Sequence, residues 1–174
     1  MHPRSNIEKM TNGQPLMDED REPWLELVRK TAERHYMQSR IEWGHGDGKC
    51  GGGGVVISCS ALKKCYRDIL RGRLKLFSTD SSQKREEALL PHVEPPNPES
   101  LPTYFVFITG KKEVILERMK DRKLHFMKPG MLQSQLDTLE SPEGEDGVVT
   151  VDVEDSTESQ VLKAKQGIAA IVGE

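Results

Sequence analysis

Three short apolar runs constrain this chain most: Val55–Cys59, Thr103–Ile108 and Val148–Val153. Each is rich in β-branched or aromatic residues and has the length of a strand. Runs that stay apolar without strict alternation mark strands buried on both faces, as in parallel sheets. Around them the spacing is helical. Trp24, Val28, Ala32 and Tyr36 recur every four residues, with Leu25 and Leu27 beside them. That pattern predicts an amphipathic helix from a cap at Asp18 to about Gln38. Glu19 and Asp20 load its first turn with negative charge, and Pro23 is expected within that turn. Ser60 is the expected cap of a helix carrying Leu62, Tyr66, Ile69 and Leu70. Further helices are expected near 111–121, with Val114, Ile115 and Met119 inside, and over Leu132, Leu136 and Leu139. A last one follows a capping box formed by Thr157 and Gln160. Strands alternating with helices read as an α/β layer with a parallel sheet. Residues 1–17 read as polar and irregular. With no internal repeat, a single domain over 1–174 is expected, interrupted by loops at 41–54 and 78–102.

Charge and cysteine usage exclude several function classes. The 174 residues hold 25 Lys and Arg against 28 Asp and Glu, a formal charge of −3. A nucleic-acid binder usually shows a strongly basic domain or stripe, so that class is disfavoured. No window approaches the roughly 18 consecutive apolar residues of a membrane span, and the first residues lack the apolar core of a signal peptide. The three cysteines, Cys50, Cys59 and Cys65, form no CxxC pair. Reduced thiols in the cytoplasm are the expectation, with no membrane association and no metal site. The Asp18–Asp20 pair reads as a helix start. The glycine run 44–54 suggests a phosphate loop and fails the test for one. GxxxxGK[ST] must follow a strand and precede a helix. Here Gly44 to Gly48–Lys49 is one residue short, Cys50 stands in place of Ser or Thr, and a strand is expected next.

Lys63, Arg67 and Arg71 stand at i, i+4 and i+8 after the first expected strand, so they share one helical face. A strand, a Ser turn and a helix with stacked cations can grip an anion. A solvated basic face gives the same spacing. Arg118, Arg122 and His125 precede the Pro129–Gly130 break and suit a lid. His125 reads at least as readily as a packing or lid-hinge residue as it does as a proton carrier.

Three blocks resemble the thermoresistant type of gluconate kinase in the P-loop kinase superfamily. The first runs from His2–Pro3, Asn6 and Lys9–Met10 through Gly13 and Pro15–Leu16 to Asp18–Glu19–Asp20–Arg21 and Trp24–Leu25. The second is Cys59–Ser60–Ala61–Leu62–Lys63, Tyr66–Arg67–Asp68 and Leu70–Arg71. The third holds Glu117–Arg118, Arg122, His125–Phe126–Met127, Leu132, Ser134–Gln135 and Leu139–Glu140. The resemblance implies ATP- and Mg²⁺-dependent phosphorylation of D-gluconate at its 6-hydroxyl. The product, 6-phosphogluconate, enters the pentose phosphate pathway. It assigns Arg122 and Arg118 to catalysis, and His2, Lys63, Tyr66, Arg67 and Arg71 to substrate binding. His125 and Gln135 fall in a lid over about 122–140, and a homodimer is the implied assembly. The family opens with a strand, the P-loop, a helix and a second strand, whereas this sequence starts at the His-Pro that follows them. An incomplete sheet lacking those four pieces is therefore expected, and strands 55–59 and 103–108 should lie unpaired or be forced together. Leu124 stands where the family usually has Gly. The rival expectation is a non-catalytic relative that binds or regulates through a sugar acid.

Overall fold

The helix predicted from the four-residue spacing forms and buries Trp24, Leu25, Val28 and Ala32, whereas Tyr36 is only half-buried and Leu27 is 53% exposed. In the computed structural model, which describes residues 2–42, 54–74, 101–121 and 129–173, helix α2 runs Asp18–Glu42. It follows α1, Arg4–Thr11. Contacts divide the chain into two compact units, one of 18–61 with 65–102, the other of 2–17, 62–64 and 103–174.

In the first unit α2 buries Trp24, Leu25, Val28 and Ala32. Asp18 is its first helical residue, not its cap, so Pro23 lies inside the helix. There it removes the N–H that would meet the carbonyl of Glu19. Helix α3, Lys64–Leu70, buries Tyr66, Ile69 and Leu70. It starts four residues after Ser60, which is thus not its cap. Gly72, at φ +73°, turns the chain out of α3, its N–H donating to Ile69 O at 2.9 Å. Arg29 ties α2 to this corner. Its Nε donates to Glu33 Oε1 at 2.5 Å, and its Nη1 to the carbonyls of Leu70 at 3.0 Å and Leu101 at 3.1 Å.

The expected strand at 55–59 does not form. Among the described residues 54–60 join no ladder, and Val56 is 99% exposed. A β-branched run favours extended backbone, but a strand exists only when a neighbour takes its N–H and C=O groups.

The second unit carries the sheet. Strands β1, Phe105–Thr109, and β2, Val148–Asp152, pair in parallel with Phe105 opposite Val148 and Thr109 opposite Asp152. Helix α4, Lys112–Asp121, follows β1; a 3₁₀ turn, Pro129–Met131, leads into α5, Leu132–Thr138; α6, Thr157–Val172, follows β2. α6 crosses β2 so closely at Gly167 that an added Cβ would stand 2.6 Å from Val149 Cγ1. β1 is not buried on both faces as expected. Val106 and Ile108, on the face of Val149 and Val151 by register, are 41% and 52% exposed. Among the described residues the sheet has two strands, so each has a neighbour on one side only and less of its surface is covered than inside a wider parallel sheet.

Three local expectations need correction. Residues 4–11 are helical, not irregular, because α1 has an inner side: Asn6 and Met10 are buried, and Met10 clusters with Leu16 and Met131. The cap of α6 is Ser156, one residue before the predicted box, its Oγ accepting from Ser159 N at 3.2 Å. Gln160 instead sends its amide to the carbonyls of Asp152 (2.9 Å) and Asp155 (3.0 Å), binding the loop after β2. Finally, α3 begins after Lys63, so one helical face does not carry all three cations.

Candidate functional site

The predicted basic residues of α3 are not a solvated face. Arg67 is 2% exposed and Arg71 is also buried, beside a wholly buried Tyr66. Burying a guanidinium costs several kcal/mol unless it is well compensated, so partners must be present. Arg67 Nη1 donates to Ala61 O at 2.8 Å. Arg71 Nη1 meets Asp68 Oδ1 at 3.3 Å. Both hold their planar forks in fixed positions, the arrangement that suits a carboxylate or phosphate.

Tyr66 links α3 to the start of α2. Its hydroxyl donates to Asp18 Oδ1 at 2.5 Å, and the guanidinium of Arg21 stands 5.9 Å from its ring centre. Burial, and then the Asp18 carboxylate, push the phenol well above its ordinary range, so the group stays a neutral donor. Arg21 is 7% exposed. Asp18 was legible as a helix start and Arg21 only as part of the Asp18–Arg21 stretch of the resemblance; their three-residue spacing on one helical face was the available signal. Cys59 lies on the chain entering this region, and burial raises its thiol above the usual value, keeping it protonated.

The other predicted residues fall elsewhere. Lys63 and His2 belong to the second unit. So does Arg118, exposed on α4, whose Nη2 donates to Asp155 O at 3.3 Å in the loop after β2. Lys163 pairs with Asp155 at 2.6 Å, and Lys111 with Glu154 at 2.9 Å, which raises the Lys111 pKa. These cations edge the carboxyl ends of β1 and β2, where open α/β sheets bind ligands. Gln135 is half-buried on α5. Arg122 and His125, with the lid segment 122–128, lie outside the described residues, as do most of the glycine run and of the 78–102 loop. Among the described residues no group of three or more His, Cys, Asp or Glu could hold a metal ion. A cavity of about 500 Å³ lies in the first unit between α2 and the segment 54–57, lined by Val28, Ala32, His35, Val55 and Ile57. Its walls are mainly apolar and contain none of the arginines, so it does not match an anion.

Two of the specific sequence blocks meet through Glu140. Its Oε2 accepts from Lys64 N, the first N–H of α3, at 2.6 Å, and its own N–H donates to Leu62 O at 2.9 Å. A residue 76 positions away thus supplies the cap that Ser60 was expected to provide.

No protein-family model matches the chain. Individual proteins do. It is 33% identical to the thermoresistant gluconokinase of Escherichia coli over 162 residues, covering 92% of this chain and 70% of that one. It is 34% identical to a gluconokinase of Gluconobacter oxydans over 151 residues, covering 87% and 63%. Among solved structures, a gluconokinase from Sinorhizobium meliloti superposes with a TM-score of 0.63 at 37% identity, over 98% of this chain and 73% of its own. An unliganded sugar kinase from Janibacter superposes at 0.61 with 31% identity. A parallel α/β sheet with flanking helices, similar over nearly its whole length to these structures, places the fold among those of sugar kinases. Within that class the chain belongs to the gluconokinase family. It spans about two thirds of the length of the curated relatives it matches.

Proposed function

We propose that the protein acts in the ATP-dependent phosphorylation of D-gluconate at its 6-hydroxyl, and that this chain supplies recognition of the sugar acid. The observation that carries the reading is the pair of buried arginines, Arg67 and Arg71, on α3 of a gluconokinase-family chain. A planar carboxylate can take two parallel hydrogen bonds from such a fork, each charge-assisted. Tyr66, neutral and anchored, gives the site an immobile wall. The family resemblance further assigns His2 and Lys63 to substrate binding, Arg118 and Arg122 to catalysis, and His125 and Gln135 to a lid. MgATP, when bound, supplies the γ-phosphoryl group, which passes to the 6-oxygen as that hydroxyl loses its proton and ADP departs. The 174 residues contain no GxxxxGK[ST], so none of them is assigned to the nucleotide phosphates and no step is derived through them. A second reading is sugar-acid binding without phosphoryl transfer. The reading places the protein in the cytoplasm; no helix among the described residues is long and apolar enough to cross a membrane.

The test is calorimetric titration of the purified chain with gluconate, alongside a coupled assay for 6-phosphogluconate with MgATP. Saturable gluconate binding in the range up to about 1 mM supports the recognition reading. Turnover decides for the kinase, and binding without turnover for the second reading. No binding of gluconate would overturn both.

A further inference from the structure

Lys63 is the bend residue that leads into α3, and one residue far along the chain holds the backbone on both sides of it. The N–H of Glu140 donates to Leu62 O at 2.9 Å, and its Oε2 accepts from Lys64 N at 2.6 Å. Leu62 is buried and Lys63 half-buried. Glu140 follows α5, whose start is anchored: Leu132 is buried, and the preceding Met131 packs with Met10 and Leu16. All of these residues belong to the second unit. We propose that Glu140 is a positioning residue for recognition of the sugar acid. By clasping the carbonyl before Lys63 and the N–H after it, Glu140 fixes the backbone from which the Lys63 ammonium is presented. The inference rests on the proposed recognition of gluconate and deepens it, by assigning what holds one of its cations in place.

The two bonds of the clasp act differently. A helix cap needs only an acceptor for Lys64 N. The bond to Leu62 O adds nothing to the cap; it fixes the peptide on the other side of Lys63. Together they hold a three-residue turn at both ends, which leaves the φ and ψ of Lys63 little room to vary. A residue that a ligand must order loses conformational freedom on binding, and that loss weakens the complex. With the clasp in place the ordering is completed on folding. The point matters for a lysine, whose flexible four-carbon stem carries a point charge: where the ammonium reaches depends on where the stem begins. Glu140 is exposed, so its own charge is screened by solvent and its effect is geometric.

The test is calorimetric titration of the purified chain with gluconate, at a temperature where every variant is folded, with a urea curve for each. Glu140→Ala removes the acceptor and should lower gluconate affinity about 3- to 10-fold. Glu140→Gln keeps an acceptor at the same reach and should recover most of that loss. Lys63→Met should lower affinity about 10- to 100-fold by removing a charge-assisted bond. Because Glu140 acts through Lys63, the double variant Glu140→Ala, Lys63→Met should bind no more weakly than Lys63→Met alone. A cap that serves stability only would shift the urea midpoint and leave the affinity of the folded protein unchanged. Glu140→Ala with wild-type affinity would therefore overturn the inference, as would losses that multiply in the double variant. A Glu140→Gln protein as weak as Glu140→Ala would overturn it too, since charge rather than the clasp would then matter. If Glu140→Ala does not fold, Glu140→Asp, whose carboxylate is one methylene shorter, takes its place on the same terms. A Lys63→Met protein with wild-type affinity overturns this inference and leaves recognition by Arg67 and Arg71 standing. A wild-type chain that does not bind gluconate removes the recognition reading and this inference together.

Discussion

Gly167→Ala sets two well-characterised effects against each other at the crossing of α6 over β2. In an exposed helix, alanine in place of glycine gains about 1 kcal/mol, because the unfolded chain has less backbone freedom to lose. At this crossing the new Cβ would lie 2.6 Å from Val149 Cγ1, 2.8 Å from Cγ2 and 3.3 Å from Cβ. Both γ-methyl groups face the helix, so a 120° turn about χ1 still leaves one of them in the way. Relief then requires the helix to lift from the strand. Overpacking of this kind costs about 1–3 kcal/mol, and two contacts under 3 Å belong in the upper half of that range. The clash therefore wins, with a net loss of about 1–2 kcal/mol, or about 2–8 °C in the midpoint for a chain of this size. Urea denaturation of wild type, Gly167→Ala, Val149→Ala and the double variant measures it. The double variant should recover most of the loss, giving a coupling of about 1–2 kcal/mol between the two sites. A Gly167→Ala protein as stable as wild type, or more stable, would refute the reasoning, since the clash would then not outweigh the propensity gain.

Three further outcomes are expected. Arg29→Ala should destabilise the first unit by about 3–5 kcal/mol, because Glu33 and the Leu70 and Leu101 carbonyls lose a buried donor; denaturation curves that move by less than 1 kcal/mol would contradict this. Glu140→Ala should cost about 0.5–1 kcal/mol through the lost acceptor at Lys64 N, and Glu140→Gln, which keeps an acceptor, should cost less in the same measurement. Tyr66 has a folded pKa above its unfolded value near 10, so its contribution to stability is fully present below that pH and is lost as pH rises toward the folded value. The alkaline limb of a stability–pH curve should be shallower in Tyr66→Phe, and an unchanged limb would mean the phenol is not held neutral by the fold.

Elements whose signal is local were legible in the chain. The four-residue stripe of α2 and the continuous apolar runs of β1 and β2 carry their own periodicity, and α6 announces itself by a Ser/Thr start before Val161 and Leu162. α1 was not legible: Arg-Ser-Asn-Ile-Glu-Lys-Met-Thr has no apolar stripe, and its inner side exists only because Leu16 and Met131 are there to meet Met10. The segment 55–59 has the composition of a strand and is not one, since a ladder is a property of two segments and its own residues supply half. The candidate site divides in the same way. Residue types and spacing determined that cations, a tyrosine and carboxylates would gather around 18–21 and 63–71. Tertiary structure alone decided that Arg67 and Arg71 are buried, that Asp18 is the acceptor for Tyr66, and that Glu140, far along the chain, caps α3. Burial and hydrogen-bond partners depend on what folds against a residue, and that lies in no window of sequence around it.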